Sequence, residues 1–193
     1  MPEQRNDEID DPTPHRFKVN WGKCLEGIHL LAQRQPGITM FYVAKVFYFA
    51  DKAHLLDWGR PISGDRYVAM ENGPVPSAIY DLVKESGYLA DDLLDEFGAR
   101  IEKRGRHLFA RQPFVDRALS KTDVEYLESA LRQYGHMSFG ALSDLTHRER
   151  AWREAWGKPG FANEMDPFLL IDEGNADRGR LIEEIRQKTA YAA

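Results

Sequence analysis

Asp51, His54 and Asp57 are the side chains whose types and spacing come nearest to a chemical device. At i, i+3 and i+6 of a helix they share adjoining parts of one surface, and a carboxylate–imidazole–carboxylate group is metal-ligand chemistry. Structural metal sites usually close with four ligands, however, and no second histidine pair at short spacing completes this one. The simpler role for Asp51 or His54 is to hydrogen-bond the turns around Gly64-Asp65 and Asn72-Gly73 and so fix their shape. Those turns are not phosphate loops, because neither has the GxxxxGK[ST] or GxGxxG order that aims several N–H groups at a phosphate. Ser63 lacks the flanking glycine of a nucleophile elbow. The six histidines are scattered; His147, after Thr146 at a helix end, suits capping of terminal carbonyls. Nothing here forms a catalytic set, so no enzyme activity and no cofactor are expected.

A second cluster is basic: Arg100, Lys103, Arg104, Arg106, His107 and Arg111. On a hairpin it could touch phosphates as a wing touches DNA. Asp91, Asp92, Asp95, Glu96 and Glu102 lie close in sequence and cancel much of that field. Local ion pairing is the expectation, with partner contact and DNA contact as the alternatives.

The elements that must position these residues follow from periodicity. Phe17, Trp21, Cys24, Leu25, Ile28, Leu31 and Ala32 recur at helical spacing until Pro36-Gly37. A second helix, about Thr39 to Asp57, is apolar almost all round, which places it at the centre of the core, and Gly59 suits its terminator. Arg66 to Glu71 reads as a strand, with Tyr67 and Ala69 on one face and Val68 and Met70 on the other. Asn72-Gly73 turns the chain, and Pro76 suits the first turn of a helix burying Val75, Ile79, Leu82 and Val83 and ending near Gly87. Arg100 to Lys103 and His107 to Arg111 flank Arg104-Gly105 as a β-hairpin. Thr122 and Glu125 suggest a capping box, Gly135 a helix end and Ser138 the cap of the next helix. Trp152 and Trp156 lie one turn apart, and a last helix runs from about Asp177 to Lys188. The expected fold is mainly α with a small antiparallel β-sheet (α+β), a helical domain carrying a β-hairpin.

Composition bounds the rest. The 193 residues carry 42% hydrophobic and 30% charged side chains, enough for one core and a solvated surface. A formal charge of -5 argues against non-specific nucleic-acid binding and suits a basic protein partner. Residues 1–16 hold three prolines among Glu3, Asp7, Glu8, Asp10 and Asp11 and read as a disordered acidic arm; residues 17–193 read as a single domain. Cys24, the single cysteine, falls on the buried stripe of the first helix, and no intrachain disulfide can form. With no signal peptide, this favours a cytoplasmic setting. No apolar run reaches the roughly 20 residues of a membrane span.

The midsection pieces Tyr48-Phe49-Ala50-Asp51, His54-Leu55, Gly59-Arg60-Pro61-Ile62-Ser63-Gly64-Asp65, Tyr67-Val68-Ala69, Gly73-Pro74-Val75-Pro76 and Ile79-Tyr80 form an ordered series. Downstream stand Leu119-Ser120 with Asp123, Tyr134-Gly135 and Leu145-Thr146-His147 with Trp152. In this order they resemble the Panacea domain, the SocA-like antitoxin family, over roughly Val19 to Gly157. Ser63 stands where threonine would be equally usual. The resemblance implies an antitoxin that neutralises a cognate toxin by direct contact, with delivery of the toxin to an intracellular protease as a second mode. On that reading Tyr48, Asp51, His54, Trp58, Gly64, Asp65, Tyr67, Gly73, Pro74, Pro76 and Tyr80 bind the partner or organise the turns, and Arg100, Lys103, Arg104 and Arg106 form a basic contact hairpin. Of the aromatic residues, Tyr48, Trp58, Tyr67 and Tyr80 are expected to line a half-exposed groove, since interfaces favour such anchors. Self-association could cover the same residues. A DNA-binding autoregulator and a metal-dependent enzyme stay open as alternatives.

Overall fold

A computed structural model describes residues 14–191. Most of the expected acidic arm therefore lies outside the described residues. Its last residues are held: Arg16 pairs with Glu164, and the His15 ring stacks on Phe168. Two long-range contacts that local composition does not show thus anchor His15 and Arg16, ahead of Phe17.

Helix α1 (Trp21–Arg34) starts at Asn20, whose side chain accepts from the Lys23 amide; Phe17 precedes the helix rather than joining it. A two-residue strand β1 (Ile38–Thr39) leads into α2 (Met40–Trp58), which Gly59 ends in the left-handed conformation. As its all-round apolarity requires, α2 is central: it packs along α5 (Lys121–Tyr134) and against the hairpin of β2 (Tyr67–Met70) and β3 (Gly73–Pro76). Phe47 of α2 lies so close to α1 that a Cβ on Gly27 would meet its ring at 2.3 Å. Tyr67 and Ala69 are buried while Val68 and Met70 are half-buried, the alternation expected of a one-sided strand.

Four local expectations need correction. Residues 73–76 form a strand, paired Tyr67 with Pro76 and Met70 with Gly73, so Pro76 precedes the helix instead of sitting in its first turn. Helix α3 (Ser77–Lys84) ends before Gly87, with Glu85 left-handed. Arg100 closes a helix, α4 (Asp91–Arg100), and the hairpin is β4 (Ile101–Arg104) with β5 (His107–Ala110), to which β1 adds a third strand. The capping box at α5 uses Ser120 and Asp123, two residues before the Thr122 and Glu125 expected.

Helix α6 (Phe139–His147) starts at Ser138 as its sequence predicts, and α7 (Arg150–Trp156) follows. His147 does not cap carbonyls: its ring stacks 3.9 Å from Trp152, which stacks in turn on Trp156. A 3-10 turn (Pro167–Leu170) and α8 (Arg178–Tyr191) complete the chain. The segment of residues 163–165 pairs with the free edge of β2, the Met165 amide donating to the Tyr67 carbonyl and the Ala69 amide to the Asn163 carbonyl. The architecture is mainly α with two small antiparallel sheets of three and two strands.

Candidate functional site

Helix α2 looks apolar all round in sequence, yet three of its buried residues are polar, and each grips a different piece of backbone. Lys45, Asp51 and His54 are at most 1% exposed. Burying such groups costs free energy unless their hydrogen bonds are complete, so what they touch defines their work.

Asp51 accepts from the backbone amides of Ile62 (2.7 Å) and Ser63 (3.1 Å), from the Ser63 hydroxyl, and from the Tyr67 hydroxyl at 2.8 Å. Burial pushes its pKa up while these donors pull it down. Both oxygens are thereby committed to the loop that links α2 to β2. His54 Nδ1 lies 2.8 Å from the Arg60 carbonyl oxygen, which only accepts, so Nδ1 carries the proton. Burial lowers the His54 pKa. Asp51 and His54 thus bond Arg60, Ile62, Ser63 and Tyr67, which flank the Gly64-Asp65 turn, and the strand just after the Asn72-Gly73 turn is reached by Lys45 instead.

Lys45 Nζ donates to the Pro74 carbonyl at 2.9 Å and approaches the Phe41 ring. Burial alone lowers its pKa to about 7. The approach is tight: a Cβ on Gly73, whose φ is +100°, would lie 2.8 Å from Lys45 Nζ and 2.3 Å from the Thr146 hydroxyl. Only glycine fits there.

Asp65 continues the chain of grips. It accepts from the amides of Ala78 (2.9 Å) and Ile79 (3.0 Å), capping α3 where Pro76 offers no side-chain acceptor. Burial pushes its pKa up to about 7 against those two donors. Gly64, at φ +68°, packs so closely that a Cβ would fall 2.1 Å from the Lys18 carbonyl oxygen.

A further anchor went unnoticed in sequence. Asp123, fully buried, binds Lys23 at 2.7 Å, the Ser120 amide at 2.8 Å and the Arg60 guanidinium at 3.3 Å. Burial opposes its charge, yet the Lys23 and Ser120 donors hold its pKa below the usual carboxylate range. The Ser-x-x-Asp spacing was a readable signal for the helix cap, but no local pattern showed that Lys23 and Arg60 converge on it. Glu26, likewise buried, accepts from the consecutive amides of Arg117, Ala118 and Leu119.

The candidate aromatic anchors separate. Tyr48 and Tyr67 are core residues, 0% and 7% exposed, because their hydroxyls reach inward to Glu149 and Asp51. Trp58 and Tyr80 stand at the surface, 53% and 38% exposed. The basic hairpin is mostly neutralised: Arg100 pairs with Glu96, Lys103 with Glu85, and Arg104 with Glu102, while exposed Arg106 makes no ion pair among the described residues. Asp57 is exposed and accepts from Tyr126, so it does not converge with Asp51 and His54. Among the described residues no group of three or more His, Cys, Asp or Glu side chains is placed to hold a metal ion.

The arrangement can therefore hold a particular surface in shape, with its ionisable groups spent inside. A family model described as antitoxin SocA-like, Panacea domain, matches residues 43–153, more than half of the chain. The match begins just before Lys45 and ends just after Trp152, and so spans α2, both hairpins, α5 and α6. No curated protein and no solved structure matches the chain significantly.

Proposed function

We propose a function from one premise: the chain belongs to the SocA-like antitoxin family, through its Panacea domain. On this reading it is a cytoplasmic antitoxin that occludes a toxin by stoichiometric contact. The observation that carries the reading is the family match, and it coincides with the block in which Lys45, Asp51, His54 and Asp65 use their polar atoms on neighbouring backbone. Groups so occupied support a docking scaffold better than a reaction centre. Trp58 and Tyr80, the surface-standing members of the expected aromatic set, are the contact candidates.

Two other readings lose support. A DNA-contacting wing needs a run of unpaired cations, and of the four hairpin candidates Arg100, Lys103 and Arg104 each face a carboxylate, which leaves Arg106 alone without an ion pair among the described residues. A metal-dependent enzyme needs converging ligands, and Asp51 already accepts four hydrogen bonds.

Co-expression with the toxin encoded beside this gene tests the proposal. Growth should be rescued and the two proteins should co-elute at a fixed ratio; neither rescue nor complex would overturn it. Delivery to a protease is the second mode, and it predicts a toxin half-life that shortens only when this chain and the protease are both present. Occlusion alone leaves the half-life unchanged while toxicity disappears.

A further inference from the structure

One face of the molecule has a charge opposite to the chain's overall balance. An open groove of about 780 Å³ runs between the C-terminal end of α2, the loop after it, the segment before α1, and α8. Its walls carry Arg16, Lys18, Lys23, Arg60 and Lys188, and none of its lining residues is acidic. Trp58 stands on the same wall, half exposed, beside Phe17.

The neighbouring carboxylates set the balance. Asp123 lies beneath Lys23 and Arg60, and Glu164 binds Arg16. Asp57, next to Trp58, is turned to Tyr126. Five cations against the two carboxylates paired with them leave a surplus of positive charge, borne chiefly by exposed Lys18 and Lys188, which make no ion pair among the described residues. In a chain of net charge -5 this surplus is local.

We propose that this groove receives an acidic polypeptide segment of the partner toxin, with carboxylates at Lys18, Lys188 and Arg60 and an apolar or aromatic side chain against Trp58. The proposal rests on the antitoxin reading and gives it a surface. Two features favour a polypeptide over nucleic acid. The surplus suits a few carboxylates, whereas a nucleic acid needs a long track of cations to neutralise successive phosphates. The groove is also formed on rigid supports: Asp123 fixes Lys23 and Arg60, and Gly59 is close enough to α8 that a Cβ would meet Lys188 Nζ at 3.3 Å. An exposed indole next to an arginine suits an interface anchor, and the flanking lysines suit its charged rim.

The test uses the full chain and its Lys18→Glu/Lys188→Glu and Trp58→Ala variants, with Arg132→Glu/Lys158→Glu at exposed positions outside the groove as a charge-matched control and thermal melting to confirm folding. The probe is a short fluorescein-labelled peptide rich in Glu with one central Phe. A basic peptide of equal length and a single-stranded oligonucleotide are run in parallel, at low and high salt. The acidic peptide should bind the wild type, and the double charge reversal should weaken it about tenfold or more. The same variants should weaken the toxin complex, while Arg132→Glu/Lys158→Glu should not. Unchanged peptide binding in the groove variants overturns the proposal. So does preferential binding of the oligonucleotide, or peptide binding only after Asp7, Glu8, Asp10 and Asp11 are neutralised, which would make the chain's own N-terminal segment the occupant. A wild-type chain that forms no toxin complex fails the antitoxin reading, and the peptide arm still decides the groove.

Discussion

Asp51 is held by four donors in a buried site, so its removal costs more than the loss of one bond. Asp51→Ala leaves the Ile62 and Ser63 amides and the Ser63 and Tyr67 hydroxyls without their acceptor. We expect a destabilisation of about 3–5 kcal/mol, measured by urea unfolding, whereas Tyr67→Phe, which removes one donor, should cost about 1.5–3 kcal/mol. Equal losses in the two variants would mean that Asp51 acts only through Tyr67. Lys45 makes a prediction of a different sign. Its folded pKa is about 7 against an ordinary 10.5, so between these values the unfolded chain holds a proton that the folded chain has released. Stability should therefore rise with pH from about 7 to about 10.5 and be least favoured by this residue below 7. Lys45→Met should remove that rise, and its advantage over the wild type should be largest below pH 7, on the order of 4 kcal/mol before the lost Pro74 bond is subtracted. A wild-type minus variant difference that is flat across this range would show that water reaches the ammonium. Sequence pointed to Asp51 or His54 as holders of the turns after α2, and both bond the Arg60 to Ser63 stretch rather than Gly64-Asp65 or Asn72-Gly73. It did not reveal Lys45, because a lone lysine in an apolar helix carries no local sign of its acceptor.

Elements were legible where one face meets one environment. The ends of α2 at Gly59, the start of α6 at Ser138 and the alternation of Tyr67 to Met70 all follow from local chemistry. Helix α4 was not legible: among its residues only Phe97 is buried, so Asp91 to Arg100 shows charge without a stripe. Strands β1 and β3 are set by partners far along the chain, and β3 has proline at two of its four positions, which local propensity reads as a turn. The cap of α3 is the sharpest case, since its acceptor comes from Asp65, thirteen residues before Ala78. Asp65→Ala should fray this helix at its first turn. Amide exchange should quicken at Ala78 and Ile79 and stay unchanged in α5, with a stability cost of about 1–2 kcal/mol. If exchange rises equally in α5, Asp65 supports the whole core and is more than a cap.

At the scale of the molecule, the question is whether the grips along α2 join the outer pieces to one cooperative core, and Cys24 can report on it. The thiol lies on α1, 0% exposed, among residues that contact the central cluster. Burial raises its pKa well above the ordinary value, and the nearby Asp65 and Asp51 carboxylates add to the effect. A thiol that is both buried and protonated reacts with a disulfide reagent only when the protein opens. If α1 cannot leave without the α2 loop, labelling must pass through global unfolding, and its rate in the fast-reclosing limit tracks the equilibrium constant. Asp51→Ala, at about 3 kcal/mol or more, should then speed Cys24 labelling by at least about a hundredfold, although Asp51 lies on another helix. Lys18→Glu/Lys188→Glu, which changes only the surface groove, should leave the rate near that of the wild type. Rapid labelling of the wild type that Asp51→Ala does not alter would mean that α1 opens by itself, and the groove, whose wall includes Lys23 of that helix, would then be assembled from parts that move separately.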